Sequence, residues 1–166
     1  MPDYYQRIKE QYKNLKGDST ELFNEIQLAS QEIGIAAALA CLEQCVIEKR
    51  SAWVQAHLHE MTNEDDPVLA GYQWFYEKYL GACMPKDGEI VEHTAERLVM
   101  RWWNPCPTLE ACRKLGLDTR EVCKKAYERP VEEFLQKIHP RLHFERNYEK
   151  IRPHAAYCEE IIVLEE

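Results

Sequence analysis

The apolar residues of this chain change their period near its middle, and that change constrains the fold more than any motif does. Before Met84-Pro85-Lys86-Asp87-Gly88 they recur at three and four residues, the period of a helix face; just after it they alternate, the period of a strand. A chain with helices first and strands later buries its apolar faces as an α+β structure, with the strands paired antiparallel through short connections. The expectation is one α+β domain over 1–166, mainly helical over 1–84, with a sheet and two helices over 85–166.

The helical half divides at its own signals. Tyr5, Ile8, Tyr12 and Leu15 mark a first helix that stops at Gly17. Asp18 with Glu21 reads as a capping box opening a second, whose stripe runs through Leu22, Phe23, Ile26 and Ala29 to a break at Gly34. Residues 35–61 form an alanine-rich helix, apolar on more than one side at first, which suits a central position. Cys41 and Cys45 on it read as small buried residues, and His57 and His59, two apart, as a solvated helix end. A linker over 62–66 ends with Asp66 as N-cap and Pro67 in the first turn. The helix that follows carries Val68, Leu69, Tyr72, Trp74, Phe75, Tyr76, Tyr79 and Leu80 and stops at Gly81. Aromatics this dense are core by spacing, with a ligand-pocket wall as the alternative.

Beyond the switch, residues 89–93 and 95–103 read as strands. Leu98, Met100 and Trp102 share one face; Arg97, Val99, Arg101 and Trp103 share the other. A helix over Pro107 to Leu115 closes at Gly116. A second, opened by Asp118 and Glu121, carries Val122, Cys123, Ala126, Tyr127, Val131, Phe134, Leu135 and Ile138 inward and is kinked by Pro130. In the last two strands Leu142, Phe144, Arg146 and Tyr148 share a face, as do Cys158, Glu160, Ile162 and Leu164. The order is β-β-α-α-β-β.

Charge narrows the partners. With 29 acidic against 21 basic residues the net charge is −8, which repels phosphate backbones and anionic membrane surfaces alike. No stretch is long and apolar enough to span a bilayer, and Met1-Pro2-Asp3-Tyr4-Tyr5-Gln6 does not open a signal peptide, so a cytoplasmic location is the expectation. The partner expected is a small-molecule substrate or ligand, with a homo-oligomer possible. Seven cysteines, odd in number and without a CxxC pair, read as reduced thiols rather than disulfides or a zinc ribbon.

Among them Cys106 stands apart, because it lies between Pro105 and Pro107. The residue before a proline is pushed out of the helical region, and proline is pre-set for the first helical turn. Cys106 is therefore expected as an N-cap with its sulfur near unpaired amides, a field that favours thiolate. Cys123 and Cys158 could converge on it, with His139, His143 or His154 to move a proton. Three thiols and a histidine could instead hold zinc or another soft metal, or the cysteines could be plain core. Glu110 suits the helix N-terminus as well as catalysis, and Arg146 suits either a cross-strand acid or a substrate carboxylate.

The stretch Cys106-Pro107-Thr108-Leu109-Glu110, then Leu115-Gly116-Leu117, Cys123, Pro140, Phe144-Glu145-Arg146 and Cys158, resembles the L-2-amino-thiazoline-4-carboxylic acid hydrolase-like family, and distantly the 4-vinyl reductase-like small-molecule-binding domains. The turn His154-Ala155-Ala156-Tyr157 before Cys158 departs from the acidic or glycine-containing turn of that family. The resemblance implies a cysteine-dependent hydrolase of non-peptide C–N bonds, acting on a thiazoline or amide-like substrate without a cofactor. It implies Cys106, Glu110, Cys123 and Cys158 as catalytic residues and Arg146 as a substrate contact, beside which Trp102 and Tyr157 are candidate pocket residues. The competing expectation is a sensor domain that binds a small molecule or metal and turns nothing over.

Overall fold

The structure, a computed structural model, describes residues 3–61 and 65–166. Positions 62–64 of the expected linker and the first two residues lie outside the described residues. The element order is α1 (Tyr4–Lys13), α2 (Thr20–Ile33), α3 (Ile35–His57), α4 (Pro67–Tyr72), β1 (Gly88–His93), β2 (Arg97–Trp102), α5 (Pro107–Leu115), α6 (Thr119–Ile138), β3 (Leu142–Asn147) and β4 (Cys158–Leu164). The class is α+β, as the change of period predicts. The helix expected over 35–61 leaves α geometry at His57 for a 3-10 turn, Leu58–Glu60, and α4 runs on as a π-helical stretch, Gln73–Tyr79. The chain forms two compact units, Met1–Lys49 with Cys106–Arg129, and Arg50–Pro105 with Pro130–Glu166.

The first unit is all helical. Ile8 of α1, Leu22, Phe23, Ile26 and Ala29 of α2, Leu39, Leu42 and Val46 of α3, Ala111 and Cys112 of α5, and Val122 and Ala126 of α6 form its core. Each set has helical spacing, so each helix turns one stripe inward. Asp3 caps α1 by accepting the Gln6 N–H at 3.1 Å. Asp18 does not form the expected box with Glu21. It accepts from the Thr20 amide at 2.8 Å and the Thr20 hydroxyl at 2.6 Å, a tight side-chain turn that sets α2 off at Thr20. Gly34, at φ 85°, lets the chain leave α2 and enter α3 in one residue.

The second unit holds the sheet, antiparallel throughout, in the spatial order β1-β2-β4-β3. β4, last in sequence, therefore lies between β2 and β3. Leu98 pairs with Ile162, Met100 with Glu160 and Trp102 with Cys158 across β2 and β4; Phe144 pairs with Ile162 and Arg146 with Glu160 across β3 and β4. Directly paired residues share a face, so the three alternating sets stand on one side of the sheet. Val68 and Tyr72 of α4, Phe75 and Tyr76 of the π-helical stretch, and Val131, Phe134 and Leu135 of α6 cover that side. β2 starts two residues later than predicted, because Thr94 turns the chain: its amide donates to the Arg97 carbonyl at 2.8 Å and its Oγ1 accepts the Arg97 amide at 3.1 Å.

Two glycines mark close approaches in this unit. A Cβ on Gly71 would stand 3.1 Å from Leu135 Cδ2 and 3.3 Å from Leu142 Cδ1, so α4 lies close on the sheet. A Cβ on Gly88 would stand 2.5 Å from the Arg101 carbonyl oxygen and 2.7 Å from Trp102 Cε3. The bare glycine thus leaves the Trp102 ring its place.

Candidate ligand site

The covered face of the sheet is not wholly apolar. Glu160 of β4 and Arg146 of β3 stand on it as register partners, with side chains only 13% and 8% exposed. Arg146 donates to Glu160 Oε1 through Nη2 at 2.8 Å and through Nε at 3.3 Å. The Tyr76 hydroxyl donates to Glu160 Oε2 at 2.5 Å. Both oxygens of the buried carboxylate are thereby engaged, which such a charge requires in a low-dielectric interior. Burial, with the charge of Glu160 behind it, pushes the Tyr76 phenol far above its ordinary value, while the guanidinium groups of Arg146 and Arg50 pull the other way. Tyr76 is a neutral donor.

Around this polar line the aromatic rings close up. Tyr76 stacks on Trp102 with centroids 4.8 Å apart and planes 17° apart, and Tyr72 lies 6.0 Å from Tyr76 and 6.5 Å from Trp102. Phe75 and Tyr79, four apart in the π-helical stretch, stack at 6.1 Å, and Phe134 meets them at 5.0 and 5.5 Å. Trp53 of α3 joins Tyr79 at 5.2 Å and Phe134 at 5.9 Å.

Among the described residues, three N–H donors in this environment find no acceptor. Trp102 is 4% exposed and its Nε1 has no hydrogen-bond partner. Arg50 of α3 holds its guanidinium over the Phe75 and Tyr79 rings, 5.0 and 5.7 Å from their centroids, and its Nε and Nη1 are withdrawn from solvent without a partner. Its stem lies on the α3 stripe, four residues after Val46 and four before Val54, both buried. A cation–π contact contributes about 0.5–2 kcal/mol. It gives the N–H groups no acceptor.

The expected site residues fall into separate places. Cys106 is the N-cap of α5 as predicted, its Sγ accepting the Leu109 amide at 3.4 Å, with Pro107 in the first turn. Cys123 of α6 is half-buried, and the core side of that helix is made by Val122 and Ala126. Cys106 and Cys123 both bear electrostatically on the Tyr127 hydroxyl, which accepts from Thr108 Oγ1 at 3.2 Å and whose ionisation burial drives upward. Glu110 points to solvent, 58% exposed, and pairs with Arg113 at 3.0 Å. Cys106, Glu110 and Cys123 belong to the first unit and Cys158 to the second. There Cys158 Sγ accepts from the backbone N and Nε of Arg152 at 3.4 and 3.3 Å, while Arg152 Nη1 donates to the Asn104 carbonyl at 2.7 Å. Of the pocket candidates, Trp102 and Arg146 share the covered face. Tyr157 is packed under the Arg101 guanidinium at 4.7 Å, with the residues of the opposite face.

Arg50, Tyr76 and Glu160 are the polar residues that the sequence reading did not single out for chemistry. The signal existed: a glutamate and an arginine on the apolar faces of β4 and β3, and an arginine on the apolar stripe of α3.

No family model matches this sequence, and no curated protein matches it. By structure, the chain is similar to an H-NOX protein from K. algicida, solved as an Fe(II), unliganded point mutant: TM-score 0.52, 16% sequence identity, covering 99% of this chain and 87% of that one. That likeness is one of fold. It corrects the resemblance to the L-2-amino-thiazoline-4-carboxylic acid hydrolase-like family, whose short motifs around Cys106, Cys123 and Cys158 are carried here by a fold shared with an H-NOX protein. The expected hydrolase goes with it. His139 Nδ1 accepts the Arg141 amide at 3.2 Å, and His143 lies between Glu132 at 2.6 Å and Glu165 at 3.0 Å. The cofactor expectation is corrected too: the structural neighbour carries iron, against the expectation of none. The zinc or soft-metal variant on the cysteines fails as well, since among the described residues no group of three or more His, Cys, Asp or Glu is placed to hold an ion. Among the described residues, no helix is long and apolar enough to cross a membrane.

Proposed function

We propose that the chain is a sensor domain that binds a small molecule without turning it over, with the ligand held in the second unit at Arg50, Tyr76 and Trp102. The observation that carries this reading is the set of buried N–H donors on Trp102 and Arg50 that no described residue satisfies. An unpaired buried donor costs about 1–3 kcal/mol, more when charged. A ligand acceptor would remove that cost. Support comes from the π-helical stretch Gln73–Tyr79, a form frequent at functional sites, which supplies Phe75, Tyr76 and Tyr79. The fold likeness to an H-NOX protein solved in an unliganded form agrees with it.

Iron does not fit the described side chains as a bare ion, for want of three converging donors. An iron-bearing group such as a haem would ask for one axial His, Cys, Met or Tyr. The six histidines are all half-buried or exposed, His57 is bonded to the Trp53 carbonyl at 2.8 Å and His93 to Asp66 at 2.8 Å.

Thermal melting of the full chain against drug-sized ligands of differing charge tests the reading. A concentration-dependent rise in Tm with some ligand, recovered unchanged afterwards, is expected; binding at about 100 times Kd stabilises by about 2.7 kcal/mol. A flat Tm across the panel at millimolar ligand, or consumption of the ligand, contradicts it.

A further inference from the structure

The chemistry of the unpaired donors narrows the ligand. Arg50 is a permanent cation, and among the described residues its buried Nε and Nη1 have no hydrogen-bond partner. Arg146, the other guanidinium acting on Tyr76, is already committed to Glu160. A half-buried positive charge therefore meets ring faces but, among the described residues, no acidic partner, in a chain whose net charge is −8. The chain carries 29 acidic residues, and none of the described ones pairs with Arg50. Trp102 Nε1 asks for a further acceptor. Phe75 and Tyr79 lie under the guanidinium, and Phe134 and Trp53 pack against those rings.

We propose that the second unit binds a monoanionic carboxylate with a flat apolar body, its carboxylate paired with Arg50 and its body among the aromatic rings. This rests on the sensor reading above. A carboxylate matches a guanidinium in geometry and charge, and one guanidinium without an acidic partner among the described residues balances a monoanion rather than a phosphate dianion. A flat body stacks on or edges against ring faces, as the rings already do with one another. Tyr76 holds Glu160, so the resident acid stays with Arg146 and leaves Arg50 to the ligand.

The test is calorimetric titration of the full chain with benzoate, with its neutral isostere benzamide and with inorganic phosphate, repeated on Arg50→Met and Arg50→Lys. Benzoate is expected to bind at least tenfold more tightly than benzamide, and phosphate not to compete. Arg50→Met is expected to weaken benzoate at least tenfold and leave benzamide unchanged, while Arg50→Lys keeps part of the difference. Because Arg50→Met removes two buried N–H groups that lack acceptors and keeps an apolar side chain over the rings, its Tm should equal or exceed that of the parent, which separates a binding arginine from a structural one. Equal affinity for benzoate and benzamide, or competition by phosphate, overturns the proposed class and leaves the sensor reading in place. So does failure of all three probes while another ligand raises the Tm. Failure of all three together with a flat ligand panel removes both.

Discussion

Single residues in this molecule carry two opposite kinds of strain on the interior: polar groups without partners, and thiols kept from ionising. Burial pushes the Cys112 thiol up to about 12 and the Cys45 thiol to about 11, from an ordinary 9.0. A raised native value means that the unfolded chain loses its thiol protons first. The stability these thiols contribute is therefore whole below pH 9 and is lost as pH rises towards 11 and 12. Urea midpoints should fall between pH 8.5 and 10.5, with a shallower fall in Cys112→Ala; equal slopes in the two proteins would contradict this. The same burial makes Cys112 and Cys45 slow towards a thiol reagent at neutral pH, whereas Cys83, exposed, should label first, as peptide mapping would reveal. Cys106 illustrates what sequence can settle at this scale. Two flanking prolines dictate its backbone, so its place as the N-cap of α5 is legible without a structure. Arg50 illustrates what it cannot. A lone arginine on an apolar stripe is compatible with a snorkelling surface residue, and only packing shows that its Nε and Nη1 find no acceptor among the described residues.

Elements were readable where their local chemistry was strong. The α+β class, the chain order of strands and helices and the alternation on each strand followed from period alone, because side-chain direction is fixed by backbone geometry. The spatial order β1-β2-β4-β3 did not, since strand pairing depends on contacts distant in sequence. Nor did the π-helical stretch: Gln73–Tyr79 has the spacing of an ordinary helix, and the widened turn shows only in bonds such as the Leu80 amide to the Phe75 carbonyl at 3.0 Å. Gly88 is the element-scale test of how β1 serves the ligand site. Gly88→Ala puts a methyl 2.5 Å from the Arg101 carbonyl oxygen and 2.7 Å from the Trp102 ring. It should cost about 1–3 kcal/mol by overpacking and alter the near-ultraviolet circular dichroism of the stacked rings. An unchanged urea midpoint and spectrum would show that β1 has room to shift.

For the molecule as a whole, the candidate ligand site lies among aromatics rather than thiols. The short cysteine motifs suggested an enzyme because Cys-Pro at a helix start is chemically suggestive, but such motifs are brief and recur on unrelated frames. The structure assigns Cys106 and Cys123 to one compact unit and Cys158 to the other, while the polar residues gathered in a buried aromatic setting all belong to the second. That unit's claim to bind a ligand rests on donors that want acceptors, and the most direct measurement reads one of them. The chain has four tryptophans, so a 15N–1H spectrum shows few indole signals, and Trp102→Phe identifies the one from Trp102. On adding the ligand that raises the Tm most, the Trp102 Nε1–H signal should move downfield, as it does when an acceptor arrives, and its exchange with solvent should slow. A Trp102 signal that stays in place while ligand saturates the protein would contradict a ligand site at Trp102.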